Sequence, residues 1–209
     1  MLFRSLLALL TLASCGSPQA DEPNGIDSYS QVSGSFTQAD SNTLTGVGSI
    51  LFTNVLPGQF SKNSLALKAD LLYIGSSVTA IFNSNNSLMN SSSGGIAITF
   101  TRNGATTEGT IAVNGTSVTI NPVRINFYVP SAIDVIIDIH NISSTSTRVM
   151  IWQRDLTVYS PTNADVDTTD SSDYTGTYPT NTSGQGIFAG LALNNATVTA
   201  ANVSIAKSP

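Results

Sequence analysis

Between residues 64 and 73 apolar and polar positions alternate: Leu65, Leu67, Ala69, Leu71 and Tyr73 fall on one side, with Ser64, Lys68 and Asp70 on the other. A period of two marks a half-buried strand, because successive side chains of an extended chain point to opposite faces. The same reading covers Ile96-Ile98-Phe100, Ile111-Val113, Val118-Ile120, Ile125-Phe127-Val129 and Ile133-Val135-Ile137-Ile139, the last with Asp134, Asp138 and His140 opposite. Asn103-Gly104 and Asn114-Gly115 each separate two such runs, and Asn-Gly readily takes the positive φ angles of a tight hairpin turn, so residues 96–120 predict a three-stranded meander. Segments 147–153, 156–159, 186–193 and 197–205 bring the total to roughly ten to twelve strands, the number of a two-sheet sandwich or jelly roll. No stretch holds a helical period over the ~11 residues needed to argue one.

The first 33 residues do not share this pattern. Arg4 precedes Leu6-Leu7-Ala8-Leu9-Leu10-Thr11-Leu12, an uncharged apolar run too short to cross a bilayer as a helix and suited to an export signal. Leu12-Ala13-Ser14-Cys15 resembles the bacterial lipobox. The resemblance implies cleavage after residue 14 and lipid on Cys15; the ordinary alternative is a secretory signal cleaved near Ala13 or Ser14, leaving a stray thiol. Cys15 is the single cysteine, so it has no partner for an internal disulfide. Gly16 stands where an Asp would resemble an inner-membrane retention signal, which implies the outer membrane. Residues 15–33, with Pro18 and Pro23 among polar neighbours, form a flexible tether, and residues 34–209 form one β domain.

Composition narrows the function classes. Charged residues are 10% of the chain, the net charge is −5 and the lysines are Lys62, Lys68 and Lys207, so no phosphate-binding surface is expected and nucleic acid is excluded as a partner. Ser, Thr and Asn together number 72, which makes a surface polar through hydroxyls and amides and suits strands and turns. The Asn-x-Ser/Thr sequons at Asn114, Asn141, Asn181, Asn195 and Asn202 follow from that composition.

Ile133 to Asn141, Arg148-Val-Met-Ile-Trp152 and Gly186 to Ala206 together look like the closing strands of laminin-G or concanavalin-like jelly rolls. The resemblance is to an architecture: all-β, an antiparallel two-sheet sandwich of jelly-roll type. It implies no activity by itself.

Candidate chemistry concentrates in one segment. Asp165, Asp167, Asp170 and Asp173 fall within nine residues, and hard oxygen ligands at short spacing are what Ca²⁺ requires, although Asp170 stands where an EF-hand loop needs Gly. Asp165, Asp167 and Asp170 are the candidate metal ligands; the competing reading is a solvated acidic loop. Tyr174 and Tyr178 follow, and tyrosine rings beside Asp173 suit the C–H faces and hydroxyls of a sugar, which makes residues 163–183 the expected contact loop. Loop tyrosines can equally pack over a sandwich edge. His140 shares a strand face with Asp134 and Asp138, but no Gly-x-Ser-x-Gly elbow accompanies it. One His and one Cys are too few for zinc hydrolysis, and Glu108 is the single Glu of the domain, so glycosidase chemistry would need an Asp pair. Trp152, in a strand apolar on both faces, is expected in a core. The sequence therefore predicts a non-enzymatic, membrane-anchored envelope lipoprotein whose sandwich binds a glycan or protein ligand, with calcium as its candidate cofactor. The alternatives are a passive assembly lipoprotein docked on another envelope protein and, third, an Asp-based glycoside hydrolase.

Overall fold

The alternating runs become strands because each has one face that leaves water only by pairing edge to edge and stacking against another layer. The structure, a computed structural model, describes residues 29–40, 43–52, 60–84, 87, 95–113, 116–119, 132–141, 147–153, 161–173 and 188–207. Within them lie β1 (Tyr29–Asp40), β2 (Thr43–Phe52), β3 (Phe60–Leu71), β4 (Ser77–Ser84), β5 (Ile96–Asn103), β6 (Thr106–Val113), β7 (Thr116–Thr119), β8 (Ala132–Asn141), β9 (Thr147–Gln153), β10 (Val166–Asp167) and β11 (Phe188–Lys207), with a 3-10 turn at Pro161–Asn163. Every described pairing is antiparallel. Cys15, residues 125–129 and 156–159, Tyr174 and Tyr178 lie outside the described residues. The strand pattern opens at Tyr29, ahead of the Gly34 boundary expected from the sequence. Among the described residues no helix is long and apolar enough to cross a membrane.

The strands form one hydrogen-bonded sheet in the order β10-β9-β8-β3-β11-β4-β5-β6-β7, with β2 along the opposite edge of β11 and β1 outside β2. Alternation in the sequence suggests two closing strands; the structure joins them into a single β11 of 20 residues. Its first half pairs with β4, from Phe188↔Ser84 to Asn194↔Ser77, and its second half with β3, from Ala196↔Leu71 to Lys207↔Phe60. Asn195, at φ 51°, is the residue both registers step over. One extra residue bends a strand and sharpens its twist, so Asn195 is where the sheet creases. β3 and β4 consequently lie end to end along the same edge of β11, joined by residues 72–76.

The crease lets two wings share a core. Phe82, Ile98, Phe100 and Ile111 from the β4–β5–β6 wing belong to one buried cluster with Leu65, Leu67, Val135, Ile137, Val149 and Ile151 from the β3–β8–β9 wing. The architecture is thus the expected all-β antiparallel sandwich, built as two layers of one folded sheet. β1 and β2 pass each other near the crease on glycine: a Cβ on Gly48 (φ +135°) would stand 2.2 Å from the Ser33 carbonyl oxygen, and one on Gly34 (φ +88°) 2.0 Å from that of Val47. The predicted meander is present as β5–β6–β7, its first turn carried by Gly104 at φ +67°.

One buried position of the sequence reading is corrected. Leu65, Leu67 and Leu71 are fully buried, but Tyr73 is 64% exposed. β3 ends at Leu71 because β11 breaks register at Asn195, and the chain must leave the sheet before it resumes as β4.

Candidate functional site

In β8 and β9 the residues between core positions point to the outer side of the sheet. There Ile136, Met150 and Trp152 form, with Ala66, a second buried cluster against which Ala164 packs. Three large apolar side chains on the outside of a sheet need a cover, and Pro161–Asp173 supplies part of it. The Trp152 indole N–H donates to Asn163 Oδ1 at 3.0 Å, which satisfies the one polar group of a side chain only 1% exposed. Trp152 is therefore a packing residue, as its sequence context suggests, though in the outer cluster.

The segment is joined to β9 residue by residue. The Asp165 N–H donates to the Ile151 carbonyl at 2.9 Å, and its carboxylate accepts the Gln153 N–H at 2.7 Å. Val166 pairs with Ile151 and Asp167 with Met150 as β10. The Thr168 N–H donates to the Val149 carbonyl at 3.0 Å, while its hydroxyl accepts the Val149 N–H at 3.0 Å. Beyond β10 the chain turns back on itself: the Asp170 N–H reaches the Asp167 carbonyl, Asp173's N–H reaches the Asp170 carbonyl, and Asp173 Oδ2 accepts the Asp167 N–H at 3.2 Å.

Asp167 anchors this platform. Arg148 Nε donates to Oδ1 at 3.0 Å and Arg148 Nη2 to Oδ2, forming the bidentate fork that guanidinium and carboxylate favour. Oδ1 also accepts the Thr169 N–H and hydroxyl, each at 2.9 Å. Burial pushes the Asp167 carboxyl up, but the hydrogen bonds from Arg148 and Thr169, with the Arg148 charge, outweigh it and hold the group below its ordinary value of 3.8.

The carboxylates expected to hold a metal are turned to partners within the protein. Asp165 is turned to Gln153, Asp167 to Arg148 and Thr169, and Asp170 Oδ1 to the N–H and hydroxyl of Ser172, both at 2.8 Å. Calcium takes roughly six to eight oxygens about one point. Among the described residues no group of three or more His, Cys, Asp or Glu is placed to hold a metal ion. The acidic run is a set of turn-forming carboxylates. Asp173, expected at a ligand, is 6% exposed and braces the Asp167 backbone.

The other candidates separate similarly. Asp138 is 3% exposed, so the face expected to carry a solvated polar row is covered at that point. His140 is placed by backbone pairing between Lys62 and Arg148. Glu108 is exposed on β6 opposite Thr101, not another carboxylate. Sequence reasoning missed one surface: the turn Leu72–Ser76 at the crease, where Leu72, Tyr73 and Ile74 are exposed. The signal was available in Gly75-Ser76, a turn pair interrupting an otherwise strand-like run.

The chain matches no protein-family model and no curated protein. Among solved structures it is similar to a carbohydrate-binding module, CBM66, from Bacillus subtilis (12% identity over 87% of this chain and 96% of that one, TM-score 0.46). It is also similar to a legume lectin-like domain from Entamoeba histolytica (9% identity, 88% and 92% covered, TM-score 0.47) and to sheep galectin-11 in complex with glycerol (9% identity, 71% and 99% covered, TM-score 0.35). Likeness of this degree concerns general strand arrangement, and no residue takes a role from it.

Proposed function

We propose that the protein is a lipid-anchored cell-envelope lectin, held to the outer membrane through Cys15, whose sandwich binds a glycan by the loop that continues from the platform at Tyr174. The supporting observation is the platform itself. Trp152, Asn163, Asp165, Asp167, Thr168, Asp173 and Arg148 are all engaged in immobilising one surface segment. A segment held this firmly suits the role of a scaffold, since rigid scaffolds present recognition loops with less ordering entropy left to lose on binding. Tyr174 and Tyr178 would supply stacking faces, and the surrounding Ser and Thr the hydroxyl partners.

The test is a glycan array probed with the mature chain, wild type beside Tyr174→Ala, Tyr178→Ala and the exposed control Ser171→Ala, run with Ca²⁺ and again with EDTA. Binding that survives EDTA and Ser171→Ala but is lost in either tyrosine variant is the expected result. No binding by the folded wild-type chain on the array would sink the lectin reading. Mass spectrometry of the mature chain reports separately whether Cys15 is acylated.

A further inference from the structure

Among the described residues the exposed large apolar side chains are Val47, Leu72, Tyr73 and Ile74, at 45, 41, 64 and 72% exposure. The topology places them. Val47 stands opposite Asn194 in the β2–β11 pair, Asn194 stands opposite Ser77, and Asn194 Nδ2 donates to the Gly75 carbonyl at 3.1 Å. Leu72, Tyr73 and Ile74 lie on the turn that joins β3 to β4, and Val47 lies near the crease on the far side of β11 from it.

Apart from Ile74, the backbone of that turn is hydrogen-bonded from within the protein. Leu72 N–H donates to the Asn195 carbonyl, Tyr73 N–H to the Ser76 hydroxyl, Gly75 N–H to the Arg102 carbonyl and Ser76 N–H to the Tyr73 carbonyl. The Leu72 carbonyl accepts from Arg102 Nη1, that of Gly75 from Asn194 and that of Ser76 from the Arg102 N–H. With only the Ile74 peptide groups left to the polar headgroup zone, such a turn can enter an interface at small polar cost while its side chains gain from doing so. A sugar would need free amides beside the ring, but Asn194 Nδ2 is on Gly75 and its Oδ1 accepts Asn195 Nδ2 at 3.3 Å. An interfacial lipid layer asks instead for apolar side chains on a satisfied backbone, with tyrosine favoured at the boundary.

The chain's own anchor points to the same occupant. Fourteen residue steps lead from Cys15 to Tyr29, a reach of at most ~50 Å, and six further steps carry β1 on to Ser35 opposite Val47, ~20 Å further. We propose that the Leu72–Ser76 turn is a membrane-contact tip, whose Leu72, Tyr73 and Ile74 side chains enter the interfacial zone of the bilayer to which Cys15 tethers the chain. This rests on the lipid-anchor part of the proposed function and adds a second point of attachment. One flexible tether leaves the domain free to rotate; two contacts restrict its orientation, with the tether raising the effective concentration of the second.

The mature acylated chain, reconstituted in phosphatidylcholine vesicles doped with a bromine-labelled lipid, tests this. Trp152, at 1% exposure, provides a shielded baseline. Ile74→Trp is expected to be quenched several-fold more than Ser171→Trp and to emit at shorter wavelength. Equal quenching at the two positions overturns the proposal and leaves the anchor reading standing. An independent arm uses mature chain carrying Cys15→Ser, which has no acyl group, mixed with the same vesicles. Ile74→Asp should lower its bound fraction about 10-fold, as expected for the loss of one buried aliphatic side chain; an unchanged bound fraction also overturns the tip. Absence of acyl mass on Cys15 would remove the anchor reading and the tethered tip with it.

Discussion

Replacing Asp167 by alanine should loosen the platform without touching the main core. The carboxylate, in a residue 9% exposed, accepts two hydrogen bonds from Arg148 and two from Thr169. Truncation leaves the guanidinium without its fork and the Thr169 N–H without its acceptor. Losing one partner of a fully buried pair costs about 3–5 kcal/mol, whereas exposed pairs contribute about 0–1. With the two side chains at 22% and 13% exposure, water can reach Arg148 in part. The intermediate value, about 2–3 kcal/mol, is therefore expected. In a domain of this length each kcal/mol lowers Tm by about 2–4 °C, so calorimetry should show a fall of about 4–12 °C. A double-mutant cycle with Arg148→Met isolates the pair, and a coupling of at least ~1 kcal/mol is expected. A loss under ~0.5 kcal/mol, or strict additivity, would refute the assignment of Asp167 as the platform's anchor. On a glycan array the Asp167→Ala chain should bind more weakly, although this carboxylate is turned inward to Arg148.

Other perturbations probe the crease, the outer cluster and the acid limb. Gly48→Ala puts a Cβ 2.2 Å from a backbone oxygen at φ +135°, whereas Gly75→Ala meets nothing within 4 Å at φ +86°. Gly75→Ala should cost about 1–2 kcal/mol of conformational strain in urea melts, and Gly48→Ala clearly more; equal losses would show that β1 and β2 do not pass this closely. Trp152→Ala should destabilise by about 3–5 kcal/mol and Asn163→Ala by about 1–2, since the latter strands a buried indole N–H; an Asn163→Ala chain as stable as wild type would mean that donor finds another acceptor. Because the folded state holds Asp167 below 3.8, its contribution is fully present above that value and is lost as pH falls through the lower folded-state value. Wild-type Tm should thus fall more steeply below about pH 4 than that of Asp167→Asn, and parallel acid limbs would contradict the sign.

Strand identity was legible residue by residue because burial on one face writes a period of two into the sequence. Ile96 to Phe100 behaves in the structure as its alternation requires, and the inward residues of Leu65–Leu71 and Ile133–Ile139 are buried as expected, although Ala66, Ile136 and Asp138 between them are buried as well. The turn after Asn103 was legible because Gly104, at φ +67°, takes an angle few other residues accept, although Asn103 itself is still paired with Thr106. The four aspartates were legible as a cluster but not in their role. Asp167 serves Arg148, 19 residues away, and Asp165 serves Gln153 on the same strand, and no spacing rule separates a carboxylate that pairs across a sheet from one that ligates a metal.

What the sequence by itself determined is therefore local: which segments extend and which face of each avoids water. What only the tertiary structure decided is where the sheet bends. A 20-residue β11 with one residue skipped at Asn195 turns two predicted strands into one and ends β3 at Leu71, which leaves Leu72, Tyr73 and Ile74 exposed. It also exposes the outer face of β8 and β9, whose Ile136, Met150 and Trp152 require the cover that Pro161–Asp173 gives. The reason is that alternation depends only on the nearest neighbours along the chain, whereas a crease depends on registers between strands more than a hundred residues apart.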